Sequence, residues 1–339
     1  MLSLPSAVAL LEQGITDGFH LGAQLSVSHR GDSADLAVGN VDVDTPFPWF
    51  SQTKALTAVA LAQQWERGEV ALDDPVAAHI PEFAKEHITV RHLLTHTAGL
   101  RNAELAATET DGADWDASVQ RACEAGVHDD WVPGRRAGYN PKGAFQLLGE
   151  IVRLIDGRSF DEYVRDEVFR PLDMERSSLR ATESGVVYDT SGESPRALGG
   201  PPPDVRPSSS GVGPASDLLR FWEALCRGGR PVLSPQAVEA MTARHRVGLR
   251  DETFGPVIDW GLGLMVNSWQ YQQRPTPYGY GDRASPRAFG HGGSQSSIGF
   301  VDPEHGLVVV LLTNGMPGEK GNHRRTQPVL TALYEDLAL

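Results

Sequence analysis

Hydrophobic and polar residues alternate with strand-like period near both ends of the chain. Residues 23–29 alternate apolar and polar side chains, Gly31-Asp32 turns the chain, and residues 34–38 return, which predicts a hairpin on a half-buried sheet. Residues 297–301 and 307–313 predict a second hairpin close to the end of the sequence. The sequence therefore predicts a sheet with strands from both ends of the chain.

Most of the sequence between these hairpins has the period of helices. Apolar spacing, caps and breakers predict helices at 3–17, Ser51 to about Gly68, 89–99 with Thr89 as cap and Gly99 as end, within 111–130, 143–152, 160–169, from Ser216 or Asp217 as cap to 225, 234–241 and 326–339. Single strands are expected at 260–266 and 288–294, and the Gly-, Pro- and Ser-rich residues 181–214 predict a long irregular surface loop. We expect an α+β fold, with an antiparallel sheet built from both chain ends, flanked by helices, and an all-helical insertion.

The length and composition are those of a globular protein with one large domain. We expect residues 1–339 to form a single catalytic domain, with a sheet lobe of 1–60 plus 230–339 and a mainly helical lobe of 61–229. The formal net charge of −14 argues against nucleic acid or an anionic membrane as a partner. Neither a signal peptide nor an apolar run of spanning length is recognisable, so we expect a cytoplasmic protein.

The segment from Trp49 to Lys54 combines a serine and a lysine three residues apart at the start of a predicted helix. Residues three apart share a helix face, so the hydroxyl of Ser51 and the amine of Lys54 can meet. The positive end of the helix disfavours an ammonium group there, and a neutral lysine can take a proton from a serine. The alternative is that Ser51 is only an N-cap and Lys54 a solvated lysine.

His92 and His96 lie four residues apart, which is also the spacing of metal ligands on a helix. No acidic residue accompanies them in an H-E-x-x-H arrangement, so we expect helix capping and hydrogen bonds in the core instead. Cys123 and Cys226 are the only cysteines, too few for a metal cluster. The sequence therefore predicts no metal site and no cofactor.

Three sequence motifs contain side chains that could take part in catalysis: Ser51-x-x-Lys54, Tyr139, and His291-Gly292-Gly293. Residues 88–100, with the run Leu-Leu-Thr-His-Thr-Ala-Gly-Leu, and 290–314, with Gly-His-Gly-Gly, Asp-Pro and Leu-Thr-Asn, accompany them. In this order the motifs resemble the serine β-lactamase and penicillin-binding-protein superfamily, most closely its class C β-lactamase and carboxylesterase branch. The resemblance extends from about residue 5 to residue 335.

The resemblance implies a role for each of these three motifs. Ser51 would be the acylated nucleophile, Lys54 its proton acceptor, and Tyr139 a partner base whose pKa the neighbouring lysine lowers. His291, Gly292 and Gly293 would line the cleft as a substrate-binding strand. The backbone amides of Ser51 and Ser294 would form the oxyanion hole.

Two departures from the family pattern bear on the substrate. The second motif is usually Tyr-x-Asn, whereas this chain has Tyr139-Asn140-Pro141, so a side-chain amide is missing at its third position. Asn140 should face elsewhere if the spacing is kept; the alternative is a shift of the motif by one residue. His291 replaces the lysine that anchors a substrate carboxylate, and a histidine is mostly neutral at pH 7. Both departures favour esters or amides over β-lactams.

We therefore expect a serine acyl-enzyme hydrolase that acts on a small-molecule ester or amide. The alternatives are a transacylase that passes the acyl group to an amine or alcohol, a D-amino-acid amidase or peptidase, a true β-lactamase, or a catalytically silent binding protein. Trp269, Tyr271, Tyr278 and Tyr280 lie in one loop before the His291 strand. If this loop covers Ser51 it forms an apolar lid that could hold an acceptor; otherwise its aromatic side chains pack on the protein itself.

Overall fold

The computed structural model describes residues 2–101, 114–181, 183–199, 204–271 and 278–339. Its strands are β1 Gly22–His29, β2 Asp32–Gly39, β3 Phe47–Pro48, β4 Tyr188–Asp189, β5 Arg196–Ala197, β6 Val212–Gly213, β7 Asp259–Trp260, β8 Met265–Val266, β9 Phe289–Gly293, β10 Ser297–Asp302, β11 Leu307–Thr313 and β12 Gly315–Met316. The strands of the main sheet have the order β2-β1-β11-β10-β9-β8-β7, and each strand is antiparallel to the strands beside it. Because β1 pairs with β11, with Leu25 opposite Leu311, the prediction of a sheet built from both ends is confirmed.

The helices are α1 Pro5–Thr16, α2 Thr53–Glu66, α3 Val76–His79, α4 Val90–Leu94, α5 Trp115–Glu124, α6 Gly143–Asp156, α7 Phe160–Val164, α8 Ala215–Cys226, α9 Pro235–Thr242 and α10 Gly318–Asp336. Apolar residues of α1 and α10 pack with one face of the sheet, and α8 crosses the other face over β1, β10 and β11. Helix α2 packs against α6 in the second core. No helix in the described part of the chain is both long and apolar enough to cross a membrane.

Helix α4 is shorter than predicted. Thr89 caps it as expected, but the helix ends at Leu94 and not near Gly99. The backbone of His96 has a positive φ of 55°, which stops helical hydrogen bonding in a way that the sequence pattern does not reveal. Within the described residues of the acidic stretch, 114–130, the helix is α5, and residues 111–113 lie outside the described residues.

The start of α8 was also predicted wrongly. Pro214 precedes the helix, and no side chain caps it. Asp217 lies inside the first turn, where its carboxylate accepts hydrogen bonds from the Arg176 amide at 2.9 Å and the Ser177 hydroxyl at 3.0 Å. These distant partners explain why a cap-like residue does not mark the helix start here.

Two further predicted elements differ from the structure. The strand expected at 260–266 is two short strands, β7 and β8, because the chain turns at Gly263 with a φ of 74°. A Cβ at Gly263 would lie 2.5 Å from that of Ala58, so α2 itself fixes the turn. Helix α10 begins at Gly318, eight residues before the predicted start at Thr326. The sequence pattern missed these first two turns because they bury polar side chains, among them Arg325, and lack an apolar period.

Candidate active site

Ser51 lies where the chain changes from strand β3 into helix α2. A 3₁₀ turn over Phe50–Gln52 continues directly into the α-helix, so Ser51 and Lys54 share one face. Phe50 has a positive φ of 50°, an uncommon conformation for a residue with a side chain and one that clusters at functional sites. The Nζ atom of Lys54 lies 3.0 Å from the Oγ atom of Ser51, which confirms that the two side chains meet.

The amine of Lys54 is completely buried. Besides Ser51, it contacts two main-chain carbonyl oxygens, that of Pro141 at 2.8 Å and that of Ser208 at 3.0 Å. Burial, and secondly the nearby charge of Lys142, lower the pKa of Lys54 well below its ordinary value of 10.5. Burial therefore shifts the protonation equilibrium of Lys54 towards the neutral amine.

The hydrogen-bond partners of a neutral Lys54 follow from its valence. A neutral amine has two N–H donors and one lone pair, and carbonyl oxygens can only accept. The carbonyl groups of Pro141 and Ser208 take both donors. In this neutral form the lone pair is left for the hydroxyl of Ser51, which then donates its proton towards Lys54, whereas an ammonium group donates to Ser51.

Tyr139 is brought to the same point from the segment before α6. Its phenol is hydrogen-bonded to the side chain of Ser51, and its ring centre lies 5.3 Å from Lys54 Nζ. Burial raises the pKa of Tyr139 above its ordinary value. The expectation of a lowered tyrosine pKa was wrong, because burial disfavours the charged phenolate more than the hydrogen bond with Ser51 favours it.

Asn140 and Pro141, for which no role was predicted from the sequence, make structural contacts. The side-chain amide of Asn140 donates to the Leu100 carbonyl at 3.1 Å and accepts from the Ala144 amide at 3.1 Å. It therefore holds the start of α6 and faces away from Ser51. Pro141 contributes only its carbonyl oxygen, to Lys54.

The end of strand β9 lies directly beside the serine turn. A Cβ at Gly293 would lie 2.3 Å from the carbonyl oxygen of Trp49, and Ser297 donates to the same oxygen at 2.8 Å. Only a glycine allows this approach. It places the backbone of Gly293 and Ser294 next to the backbone that leads into Ser51.

His291 points from β9 into the buried space around Tyr139, with the ring centres 6.3 Å apart. Burial, and secondly the proximity of Lys54, lower the pKa of His291 to about 3. Its Nδ1 donates to the Gly292 carbonyl at 2.6 Å, so Nε2 is an acceptor, with no hydrogen-bond partner among the described residues. The expectation that His291 is neutral agrees with this pKa.

Gly292 faces the opposite side of the sheet. A Cβ there would lie 1.9 Å from a ring carbon of Tyr278. The two other tyrosines of the loop also contact the protein, whereas the side chain of Trp269 is exposed: Tyr271 donates to Asp259 at 3.1 Å, and Tyr280 donates to the Met265 carbonyl at 3.0 Å. These contacts favour the alternative of packing on the protein over a lid, while residues 272–277 lie outside the described residues.

Two contributors to the site were not identified in the sequence. The carbonyl of Ser208 reaches Lys54 from the loop predicted as surface, and no local pattern marks it. His96 is buried with its ring centre 4.6 Å from that of Tyr139, and its Nδ1 accepts from the Asn140 amide at 3.1 Å. His96 was expected only to form core hydrogen bonds, and the Asn140 bond confirms that much.

His92, the other histidine of the pair, caps helix α4. Its Nδ1 accepts from the Thr89 amide at 3.1 Å, and its own amide donates to the Thr89 hydroxyl at 3.4 Å. The predicted capping role is confirmed. In the described ranges of the chain, no three His, Cys, Asp or Glu side chains are grouped as a metal ion would require.

Comparison with known proteins gives consistent matches over nearly the whole chain. The sequence model of the Beta-lactamase family matches residues 8–333. "Penicillin-binding protein 4" of Amycolatopsis lactamdurans is 31% identical over 325 residues, which cover 87% of this chain and 81% of the relative. "Esterase EstB" of Burkholderia gladioli is 29% identical over 369 residues, covering 91% of each chain. The solved structure of "EstCE1, a hydrolase with promiscuous acyltransferase activity" superimposes with a TM-score of 0.82 at 22% identity, covering 97% of this chain and 98% of the other.

Proposed function

The chain belongs to the Beta-lactamase family, and from that premise we propose that it is a serine hydrolase that cleaves a small-molecule ester or amide through an acyl-enzyme at Ser51. The observation that carries this proposal is the buried amine of Lys54, 3.0 Å from the Ser51 hydroxyl. A serine is a weak nucleophile unless a base takes its proton, and a neutral lysine at this distance is such a base.

Acylation begins when the Ser51 oxygen attacks the substrate carbonyl carbon and its proton passes to Lys54. The new carbon–oxygen bond turns the carbonyl oxygen into an oxyanion. The amides of Ser51 and Ser294 are its proposed donors, because β9 brings them to neighbouring backbone. One such donor is worth about 10²–10³ in kcat in comparable sites.

Tyr139 is the proposed proton donor to the leaving group. Its raised pKa keeps the phenol protonated, and its hydroxyl already contacts Ser51. When the carbon–heteroatom bond of the tetrahedral intermediate breaks, the leaving group takes the Tyr139 proton, and Tyr139 is reprotonated from Lys54. Water then attacks the acyl-enzyme and the same proton path runs in reverse, which restores Ser51.

The substrate is proposed to be an ester or amide without an essential carboxylate at the position of His291. A neutral imidazole with an acceptor nitrogen turned inwards repels a carboxylate rather than binding it. The resemblance to EstB, which is named an esterase, supports an ester substrate. An amide substrate, as for a D-amino-acid amidase or peptidase, would be cleaved by the same residues and is the alternative to an ester.

Acyl transfer is the second candidate function. The walls around Tyr139 include the half-buried aromatic ring of Phe254, which lies 4.7 Å from its ring centre. Such walls can hold an organic amine or alcohol, which would accept the acyl group in place of water. The resemblance to EstCE1, a hydrolase with promiscuous acyltransferase activity, favours the same candidate.

The test of the nucleophile is the substitution Ser51→Ala. Incubation with a fluorophosphonate should add one adduct mass to the unsubstituted protein and none to the variant, and hydrolysis of p-nitrophenyl esters should fall to background. Ser3→Ala is the matched control, because Ser3 is exposed near the start of the chain. Undiminished ester turnover by Ser51→Ala, with labelling elsewhere, would refute the proposed function.

A further inference from the structure

The turn that carries the Ser294 amide has an unusual backbone. Ser294 and Gln295 both have positive φ angles, 34° and 60°, although neither is a glycine. Two consecutive residues in this region need external contacts to keep them there. Within the turn itself, the Ser296 amide donates to the Gly293 carbonyl at 2.9 Å.

Arg325 on α10 reaches this turn from beneath the sheet. Its Nη2 donates to the carbonyl oxygen of Gln295 and, at 2.8 Å, to the side chain of Asn322. Its Nη1 donates to the carbonyl oxygens of Gly315 at 3.0 Å and Phe19 at 3.2 Å. The guanidinium is therefore anchored on three separate segments as well as on its own helix.

The charge of Arg325 has no counter-ion in the described part of the chain. The side chain is 4% exposed, and all its hydrogen-bond acceptors are neutral. Burying an unpaired cation is costly, and a neutral donor would serve an ordinary structural contact. An uncompensated positive charge beside a turn where negative charge develops has a further effect, because it stabilises an oxyanion.

Tyr278 holds the other side of Gln295. Its hydroxyl accepts a hydrogen bond from the Gln295 amide at 3.4 Å, and its ring lies against Gly292. The N–H of Gln295 is thus held by Tyr278 and the C=O by Arg325. Gly293, on the other side of Ser294, is held against Trp49.

We propose that Arg325, assisted by Tyr278, is a positioning residue that aims the Ser294 amide at the oxyanion and adds positive charge behind it. This inference rests on the proposed function, since it concerns the same acyl-transfer site. Arg325 touches neither the substrate nor Ser51. It acts through Gln295, and its loss should weaken the transition state more than substrate binding.

The experiment compares matched ester and thionoester substrates in Arg325→Gln. A thionoester develops its charge on sulfur, which accepts hydrogen bonds weakly, so it gains little from an oxyanion hole. We expect the ratio of kcat/KM for the ester to that for the thionoester to fall on the order of ten-fold, less than for direct removal of a donor. The ratio does not depend on the fraction of folded enzyme, so partial unfolding alone leaves it unchanged.

Arg324→Gln is the matched control, because it removes the same charge from the neighbouring, exposed position of α10. If Arg325→Gln does not fold, Tyr278→Phe decides, with Tyr280→Phe as its control, because the Tyr280 hydroxyl contacts Met265 and not Gln295. An ester-to-thionoester ratio that stays at the unsubstituted value in the decisive variant overturns the inference. Failure of the proposed function appears elsewhere, as ester turnover that survives Ser51→Ala.

Discussion

Lys54 and Ser51 are in contact, with Nζ 3.0 Å from Oγ, but only the lysine is fully enclosed. Ser51 is half-buried and open to a substrate. The base is therefore shielded from water, while the nucleophile is not. The free energy that keeps the amine neutral comes from this burial, and it can be tested through the pH dependence of turnover.

The pH profile should report a lysine with a lowered pKa. A base must be unprotonated, so kcat/KM is retained above the pKa of Lys54 and lost as the pH falls through it. The midpoint of this acidic limb of the profile should lie well below pH 10.5. In Lys142→Gln the limb should move to higher pH, because the removed cation helps to lower that pKa. Lys320→Gln, at an exposed position of α10, should leave the profile unchanged. A limb that does not move in Lys142→Gln contradicts the electrostatic part of this account.

Lys54 and Tyr139 should behave as one unit, because both contact Ser51. Lys54→Ala and Tyr139→Phe should each lower kcat by about 10²–10⁴, the range for lost general acid–base groups. The double variant should be little worse than either single variant, since each loss already interrupts the shared proton path. Single-turnover acylation rates of the four proteins measure this, and fully multiplicative losses would separate Tyr139 from the path.

The helical part of this proton path could be predicted from the sequence, and its surroundings could not. Ser51 and Lys54 are three residues apart in a segment whose helix is encoded locally. The carbonyl of Ser208, 154 residues away from Lys54, has no local signal because carbonyls belong to every residue. The raised pKa of Tyr139 was also missed, because it depends on burial, which is a property of the tertiary structure and not of the local sequence.

The fold shows the same division between local and distant causes. Both hairpins and the pairing of the chain ends follow from alternation and turn residues, and the structure confirms them. The turn at Gly263 depends on contact with Ala58, and the first two turns of α10 are stabilised by buried polar contacts. Neither cause can be recognised from the hydrophobic pattern of the segment itself. The division into two lobes stays a prediction.

β-Lactams should be poor substrates even if they acylate Ser51. The neutral His291 offers no cation to the β-lactam carboxylate, and a charge-assisted hydrogen bond is worth about 1.5–3 kcal/mol. We expect kcat/KM for a chromogenic cephalosporin to be about 10- to 100-fold below that for p-nitrophenyl butyrate, by the factor that such a bond represents. Comparable values for the two substrates would contradict the assignment of His291 as a neutral wall.

Gly292 should be required for a steric reason that involves Tyr278. A Cβ at position 292 would lie 1.9 Å from the Tyr278 ring, so Gly292→Ala forces the ring or the strand to move. Overpacking of this kind costs about 1–3 kcal/mol of unfolding free energy. Urea denaturation measures it, with Gly192→Ala as control, because a Cβ at Gly192 meets nothing within 4 Å.

The decisive comparison places Gly292→Ala in a Tyr278→Ala background. Removal of the ring creates the space that the new methyl group needs, so the two changes should not be additive. We expect the destabilisation by Gly292→Ala to fall to less than about half of its value in the unsubstituted protein. Equal destabilisation in both backgrounds would mean that the cost arises from the strand itself. The ring of Tyr278 would then not be the reason for a glycine at the centre of the His291-Gly292-Gly293 segment.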